Sequence, residues 1–222
     1  MARHPNDQNG DVKSIVANGL DAYASSMTLN DRTSTLSLLE TRRSGRPREM
    51  IAPGPSAAEL ERILSIAART PDHGKLAPWR FVTVAADQRG ALADLLARAL
   101  PESDPGAGAA HFAKAQEFAH HAPTLVVLIS APIEGHKIPV WEQQLSCGAV
   151  GMNLLTATHA LGYVGGWITG WAAYSARVHA AFCAPGERIA GFLFLGSPGL
   201  PLEERPRPDL ASVARKWTPP QD

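Results

Sequence analysis

Arg42-Arg43-Ser44-Gly45-Arg46, read with Thr70-Pro71-Asp72-His73-Gly74-Lys75-Leu76-Ala77-Pro78-Trp79-Arg80-Phe81 further down, is the part of this 222-residue chain whose reading decides the fold. Each segment joins a capped helix to the next element, and each concentrates groups that bind anions. Arginine presents a planar fork of donors matched to phosphate oxygens, and a serine hydroxyl adds a short hydrogen bond to the same group. Arg42 and Ser44 are therefore the leading phosphate candidates, with Arg43 beside them. Taken alone, an Arg-Arg pair ending a helix also has a purely structural use, since cations there gain about 0.3–1 kcal/mol from the helix dipole.

Working outward, Leu36, Leu38 and Leu39 predict a helix from Thr35 into Arg42, stopped by Gly45 and Pro47. Ser56-Ala57-Ala58-Glu59 is a capping box, and Leu60, Ile63, Leu64 and Ala67 continue it at helical spacing. Runs of branched and aromatic residues predict strands at Trp79–Val84, Leu125–Ile129 and Ile189–Leu195, with another at Tyr163–Trp167. Asp87 can cap a helix reaching Leu100, a loop spans Pro101 to Gly108, and shorter helices follow at His111–Ala119 and Ala176–Phe182. Trp141–Leu161 is long enough for a central helix, with Leu145, Met152, Leu155 and His159 near one face and Gly162 as its stop. Residues 1–31 read as a polar appendage, with Val12, Ile15, Val16, Leu20 and Tyr23 spaced for a turn or two of amphipathic helix, and 32–222 as one domain. The end, Leu202 to Trp217, is charged and proline-bearing and reads as an extension lying on another surface.

The bulk properties exclude several functions. Lys plus Arg equals Asp plus Glu at 21 each, so no overall cationic field exists to hold nucleic acid or a lipid surface. No apolar run approaches the ~18 residues of a membrane span, and no leader pattern opens the chain. The two cysteines, Cys147 and Cys183, have no metal-ligand or Cys-x-x-Cys spacing, which fits a reduced, cytoplasmic setting. No His/Asp/Glu set has ligand spacing, and the phosphate-loop, Gly-x-Ser-x-Gly and dinucleotide-fold signatures are absent. A small-molecule partner remains.

The two opening segments, together with His136-Lys137-Ile138-Pro139-Val140-Trp141-Glu142-Gln143 and Gly162-Tyr163-Val164-Gly165-Gly166-Trp167-Ile168-Thr169-Gly170, resemble in order and spacing the FMN-dependent nitroreductase family. The resemblance is nearest to its YdjA-like subgroup, provisionally assigned as NAD(P)H nitroreductases, and runs from about Leu36 to the C-terminus. It implies an α+β fold with a central, mainly antiparallel sheet flanked by helices, and a homodimer with two FMN sites between subunits. The implied chemistry moves two electrons from NAD(P)H through FMN to a nitroaromatic, quinone or similar acceptor, with the protein positioning and tuning the flavin and no side chain acting as nucleophile.

By the same resemblance the cofactor-binding residues are Arg42, Arg43, Ser44, Arg69, His73, Trp167, Ile168, Thr169 and Arg207, with Arg69 and His73 facing the flavin of the other subunit. Glycines at 165, 166 and 170 would let backbone approach a flat ring. The chain departs from the family pattern where Asp72, Lys75 and Ala77 replace the usual serine, asparagine and glutamine. Glu142 reads as orienting the start of its helix, Trp79 as a core aromatic and Cys147 as a buried small residue. A rival function of another class is an FMN-binding protein that stores, senses or delivers the flavin with little turnover.

Overall fold

Thr124-Leu-Val-Val-Leu-Ile-Ser130 forms a strand buried at every position from Leu125 to Ser130. A strand without a polar face has to sit inside a sheet covered on both sides. The computed structural model, which describes residues 28–220, places it there. Five strands, β1 (Met50–Ile51), β2 (Trp79–Val84), β3 (Thr124–Ser130), β4 (Val164–Ile168) and β5 (Arg188–Pro198), form one sheet. β2 pairs with β3 and β3 with β5, while β4 and β1 pair with successive stretches of β5. Every pairing is antiparallel.

Alternation along β3 and β5 divides the core in two. Leu125, Val127, Ile129, Phe192 and Phe194 face α3 (Arg89–Ser103) and α4 (Ala109–His120). Val126, Leu128, Leu193 and Leu195 face α2 (Ala57–Ala67) and the central α5 (Val140–Ala160). Phe118 of α4 meets Phe192 and Phe194 edge-on at centroid distances of 5.2 and 5.4 Å. α1 (Thr35–Thr41), α6 (Ala176–Phe182) and the short α7 (Leu210–Val213) complete the helices of the described residues.

The predicted capping box is present, with Ser56 accepting from the Glu59 N–H and Glu59 from the Ser56 N–H. Trp79 and Cys147 are buried, as read. Three helices differ from the sequence expectation. Asp87 caps no α-helix; it lies in a 3-10 turn, Ala86–Gln88, and α3 begins at Arg89. α3 also runs past Leu100 to Ser103 with Pro101 inside it, at the loss of the one bond that a residue 101 N–H would make to Ala97 O. Leu145 and Met152 do not share the buried face of α5 with Leu155 and His159. The sheet takes the stripe Cys147, Val150, Leu154, Leu155 and Thr158, and Leu145 and Met152 are exposed. On α1 only Leu38 of the three leucines is buried, and Leu36 and Leu39 are exposed.

The amphipathic turns read between Val12 and Tyr23 lie outside the described residues. Asn30 and Asp31, at the edge of the predicted appendage, are bonded to the end of α1. The Asn30 N–H donates to Thr41 O at 3.0 Å and the Asp31 N–H to Thr41 Oγ1 at 2.9 Å.

Candidate functional site

α1 ends at Arg42, whose ψ of 124° turns the chain out of the helix. The loop after it is pinned from two sides. Asn30 brackets Arg43, accepting its N–H at 2.8 Å and donating to its carbonyl at 3.1 Å. The Gly45 N–H donates to Gly165 O at 3.2 Å, laying the loop against the start of β4. The approach is close enough that a Cβ at Gly166 would stand 2.7 Å from Gly45 O. A side chain larger than hydrogen has no room there.

On this backbone the cations gather. Arg42 Nη1 donates to Ser44 Oγ at 3.3 Å, and Arg207 returns from the C-terminal segment so that its Nη2 donates to Arg42 O at 3.2 Å. Arg43 Nε donates to Glu203 O at 2.6 Å. Burial holds the Arg42 guanidinium below its usual range, Arg207 and Arg43 lower it further, and Glu204 opposes them. Like charges crowded in this way are relieved by an anion. Arg43, Ser44 and Arg46 border a cavity of about 260 Å³ with Glu49, Leu202 and Glu203. Arg46 itself is paired with Glu49 at 3.1 Å and Glu203 at 3.5 Å.

Beneath the loop lies His159, fully buried at 0% exposure and not among the residues picked out as functional from sequence. Its Nε2 accepts the Gly165 N–H at 3.2 Å, which leaves the proton on Nδ1, a buried atom without a partner among the described residues. Burial pushes its pKa down to about 4, and the neighbouring charge of Arg42 acts in the same direction.

The second predicted segment is a tight loop. Asp72 Oδ2 accepts the N–H groups of Leu76 and Ala77, the latter at 3.0 Å, while Gly74, Lys75 and Ala77 adopt φ of +85°, +59° and +46°. The carboxylate thus offsets the cost of a left-handed turn that a serine hydroxyl, with no charge, would hold less firmly. His73 Nδ1 lies 2.7 Å from Glu142 Oε2, so Glu142 ties this loop to the first turn of α5. Asn153 Nδ2 donates to Thr70 Oγ1 at 2.6 Å, fixing the start of the same segment on α5. Arg69 projects from the end of α2 into solvent.

The third segment divides by face. The Trp167 indole turns toward α5 and packs over Gly151 and Gly191, where an added Cβ would run into its ring, and its Nε1 donates to Ala190 O at 3.0 Å. That side chain serves packing. Ile168 packs on the opposite core, Thr169 is half-buried, and Gly170 turns the chain at φ +60° with open space around it. The structure therefore brings Arg42, Arg43, Ser44 and Arg207 together beside β4. Arg69 and His73 stand apart, at the end of α2 and beside the exposed N-terminal end of α5. Among the described residues no group of three or more His, Cys, Asp or Glu is placed to hold a metal ion, and no helix is long and apolar enough to cross a membrane.

This helix-flanked antiparallel sheet, with an arginine-lined loop laid against β4, has the nitroreductase-like fold. The chain belongs to the nitroreductase family, a family of oxidoreductases whose sequence pattern matches residues 39–197. It is 37% identical over 173 residues to a Haemophilus influenzae protein provisionally named an NAD(P)H nitroreductase, covering 77% of this chain and 91% of that one. It is 33% identical over 168 residues to YdjA of Escherichia coli K12, which carries the same provisional name, covering 74% and 88%. Among solved structures it is similar to a nitroreductase-like family protein from Bacillus cereus, with a TM-score of 0.72 at 19% identity over 85% of this chain and 98% of that one. A single-residue variant of NfnB, an FMN- and NADPH-dependent nitroreductase from a Sphigopyxis strain, gives a TM-score of 0.64 at 22% identity over 83% and 99%.

Proposed function

We propose that this chain is an NAD(P)H-dependent flavin oxidoreductase that binds FMN and passes two electrons to a nitroaromatic, quinone or similar small acceptor. The observation that carries the reading is the convergence of Arg42, Arg43 and Arg207 with the Ser44 hydroxyl beside the glycine-lined start of β4. This donor set fits a phosphate monoester: several guanidinium forks, one hydroxyl, and mutual repulsion that an anion would relieve. Bound FMN would supply the two-electron exchange. The chain would hold its phosphate at Arg42, Arg43, Ser44 and Arg207 and offer the backbone of Trp167, with Ile168 and Thr169, along the ring. The names of the relatives support the nicotinamide donor, and that of NfnB supports FMN as well.

The active unit in this reading is a homodimer. Trp141, Leu145 and Met152 lie on one exposed stripe of α5, and Leu36 and Leu39 are exposed on α1. The His73–Glu142 pair lies at the end of the α5 stripe. A second subunit covering it would bring Arg69 and His73 to its own flavin. The flavin-binding domain, read as 32–222, also takes in Asn30 and Asp31, which bond to Arg43 and Thr41, and the free thiols of Cys147 and Cys183 suit the cytoplasm.

Anaerobic stopped-flow mixing of the yellow protein with NADH and with NADPH tests the activity. Bleaching of bound FMN by either, followed by recovery with a nitroaromatic or quinone, is expected. If neither nicotinamide bleaches the flavin while a chemical reductant does, the chain is an FMN-binding protein and not an oxidoreductase.

A further inference from the structure

We propose that Glu204 is a built-in counter-anion of the arginine cluster, setting how strongly the site holds a phosphate and limiting its attraction for more highly charged anions. This role rests on the FMN reading of the same site.

Glu204 Oε1 accepts from Arg207 Nη2 at 2.9 Å, and the same nitrogen reaches Arg42 O at 3.2 Å. The carboxylate is fixed from behind as well, because the Arg205 N–H donates to the same oxygen at 2.8 Å. Glu203 next to it plays a different part. Its side chain goes to Arg46, already paired with Glu49, and only its carbonyl meets Arg43. Glu204 is thus the carboxylate whose charge both Arg42 and Arg43 feel. Burial pushes its own carboxyl up, but the Arg205 N–H and the charges of Arg207 and Arg43 outweigh this and keep it ionised.

A carboxylate in this position has two opposed effects. It orients Arg207, which helps any ligand that Arg207 contacts, and it lowers the positive potential at the cluster, which weakens every anion in proportion to that anion's charge. Pro206 and Pro208 flank Arg207 and restrict the backbone on both sides, so the arginine has a second source of order. The electrostatic effect should dominate. Phosphate binding is then weaker than the arginines alone would give.

Glu204→Gln separates the two effects, since the amide keeps an oxygen for Arg207 and the Arg205 N–H and removes only the charge. In fluorescence titrations of the flavin-stripped full chain at low salt, E204Q should bind FMN roughly fivefold more tightly than wild type, with riboflavin affinity unchanged and the gain shrinking as salt is added. Inorganic pyrophosphate should compete with FMN more strongly in E204Q by a larger factor than inorganic phosphate does. Equal or weaker FMN binding by E204Q overturns the proposal. So does an equal change for riboflavin, which would mark a general disturbance of the pocket. If wild type takes up neither flavin, the FMN reading fails. Tighter binding of inorganic phosphate to E204Q, followed by phosphorus NMR, would still uphold the counter-anion role, and unchanged phosphate binding would end it.

Discussion

The His159 imidazole accepts the Gly165 N–H at 3.2 Å, and the carbonyl of the same Gly165 accepts the Gly45 N–H at 3.2 Å. One buried ring therefore supports, through a single residue, the loop that carries Arg42 and Ser44. The support requires a neutral ring, because a proton on Nε2 would face the Gly165 N–H donor to donor, close to Arg42.

Stability should follow that proton. His159 titrates at about 4 in the folded chain against 6.5 for an unperturbed histidine. Between these values the unfolded chain binds the proton and the native chain refuses it. The stabilisation is thus complete above pH 6.5 and is lost as pH falls toward 4, amounting to about 3 kcal/mol at the acid end. Urea unfolding at several pH values should show a shallower slope over this window in His159→Gln than in wild type. An unchanged slope would assign the acid sensitivity to other groups.

Arg42→Ala combined with Ser44→Ala removes a guanidinium and the hydroxyl it bonds at 3.3 Å. Charge-assisted hydrogen bonds contribute roughly 1.5–3 kcal/mol each, so FMN affinity should fall by about a hundredfold or more. Riboflavin, which has no phosphate, should bind both forms alike. Arg98→Ala, on the exposed side of α3, serves as the control and should leave FMN binding unchanged. Equal retention of FMN by the double variant would remove this loop from the phosphate site.

The features legible in the sequence were local or periodic. The Ser56–Glu59 box acts across three residues, and the branched runs of β2, β3 and β5 declare themselves without partners. The buried face of α5 could not be read, because this helix is apolar on two sides and only one faces the sheet. Nor could the departures at Asp72 and Ala77 be interpreted from residue type, since their sense lies in the carboxylate holding the Leu76 and Ala77 N–H groups. Family likeness points to Arg207, yet its partners Arg42 O and Glu204 come from the folded path of the chain. His159 carried no signal beyond a polar residue on an apolar helix, a pattern that ordinary core histidines share.

Arg89 is the clearest long-range contact of this kind. It is 4% exposed and directs its guanidinium at the carbonyls of Val84, Ala119, His121 and Pro123, joining β2 and α3 to the turn between α4 and β3. Replacing it with Met would keep the packing and leave these carbonyls short of donors. Arg89→Met should lower unfolding free energy by about 2–4 kcal/mol in urea titrations. A loss within experimental error would mean that water replaces the guanidinium at no cost.

Leu145→Glu with Met152→Glu places two like charges on the exposed stripe of α5. If that stripe is the dimer seam, the pair should turn the protein into a folded monomer with an unchanged far-ultraviolet spectrum, and FMN should be released with the loss of the dimer. Analytical ultracentrifugation with absorbance at the flavin band reads both at once. A variant that stays dimeric would put the seam elsewhere.

Gly166 and Gly170 make opposite predictions although they lie on one short segment. A methyl at Gly166 would meet Gly45 O at 2.7 Å and the Pro47 ring at 3.1 Å, both belonging to the loop that carries Ser44. Gly166→Ala should therefore displace that loop and weaken FMN binding by roughly tenfold or more, acting on the phosphate end and not on access to the ring. At Gly170 nothing stands within 4 Å of the added carbon, but φ is +60°. Gly170→Ala should lower stability by about 1–3 kcal/mol through backbone strain and leave FMN affinity within about twofold. Measuring flavin affinity and urea stability on both variants separates the two effects. If Gly166→Ala bound FMN normally, the Gly45–Gly165 contact would not be what holds the phosphate loop in place.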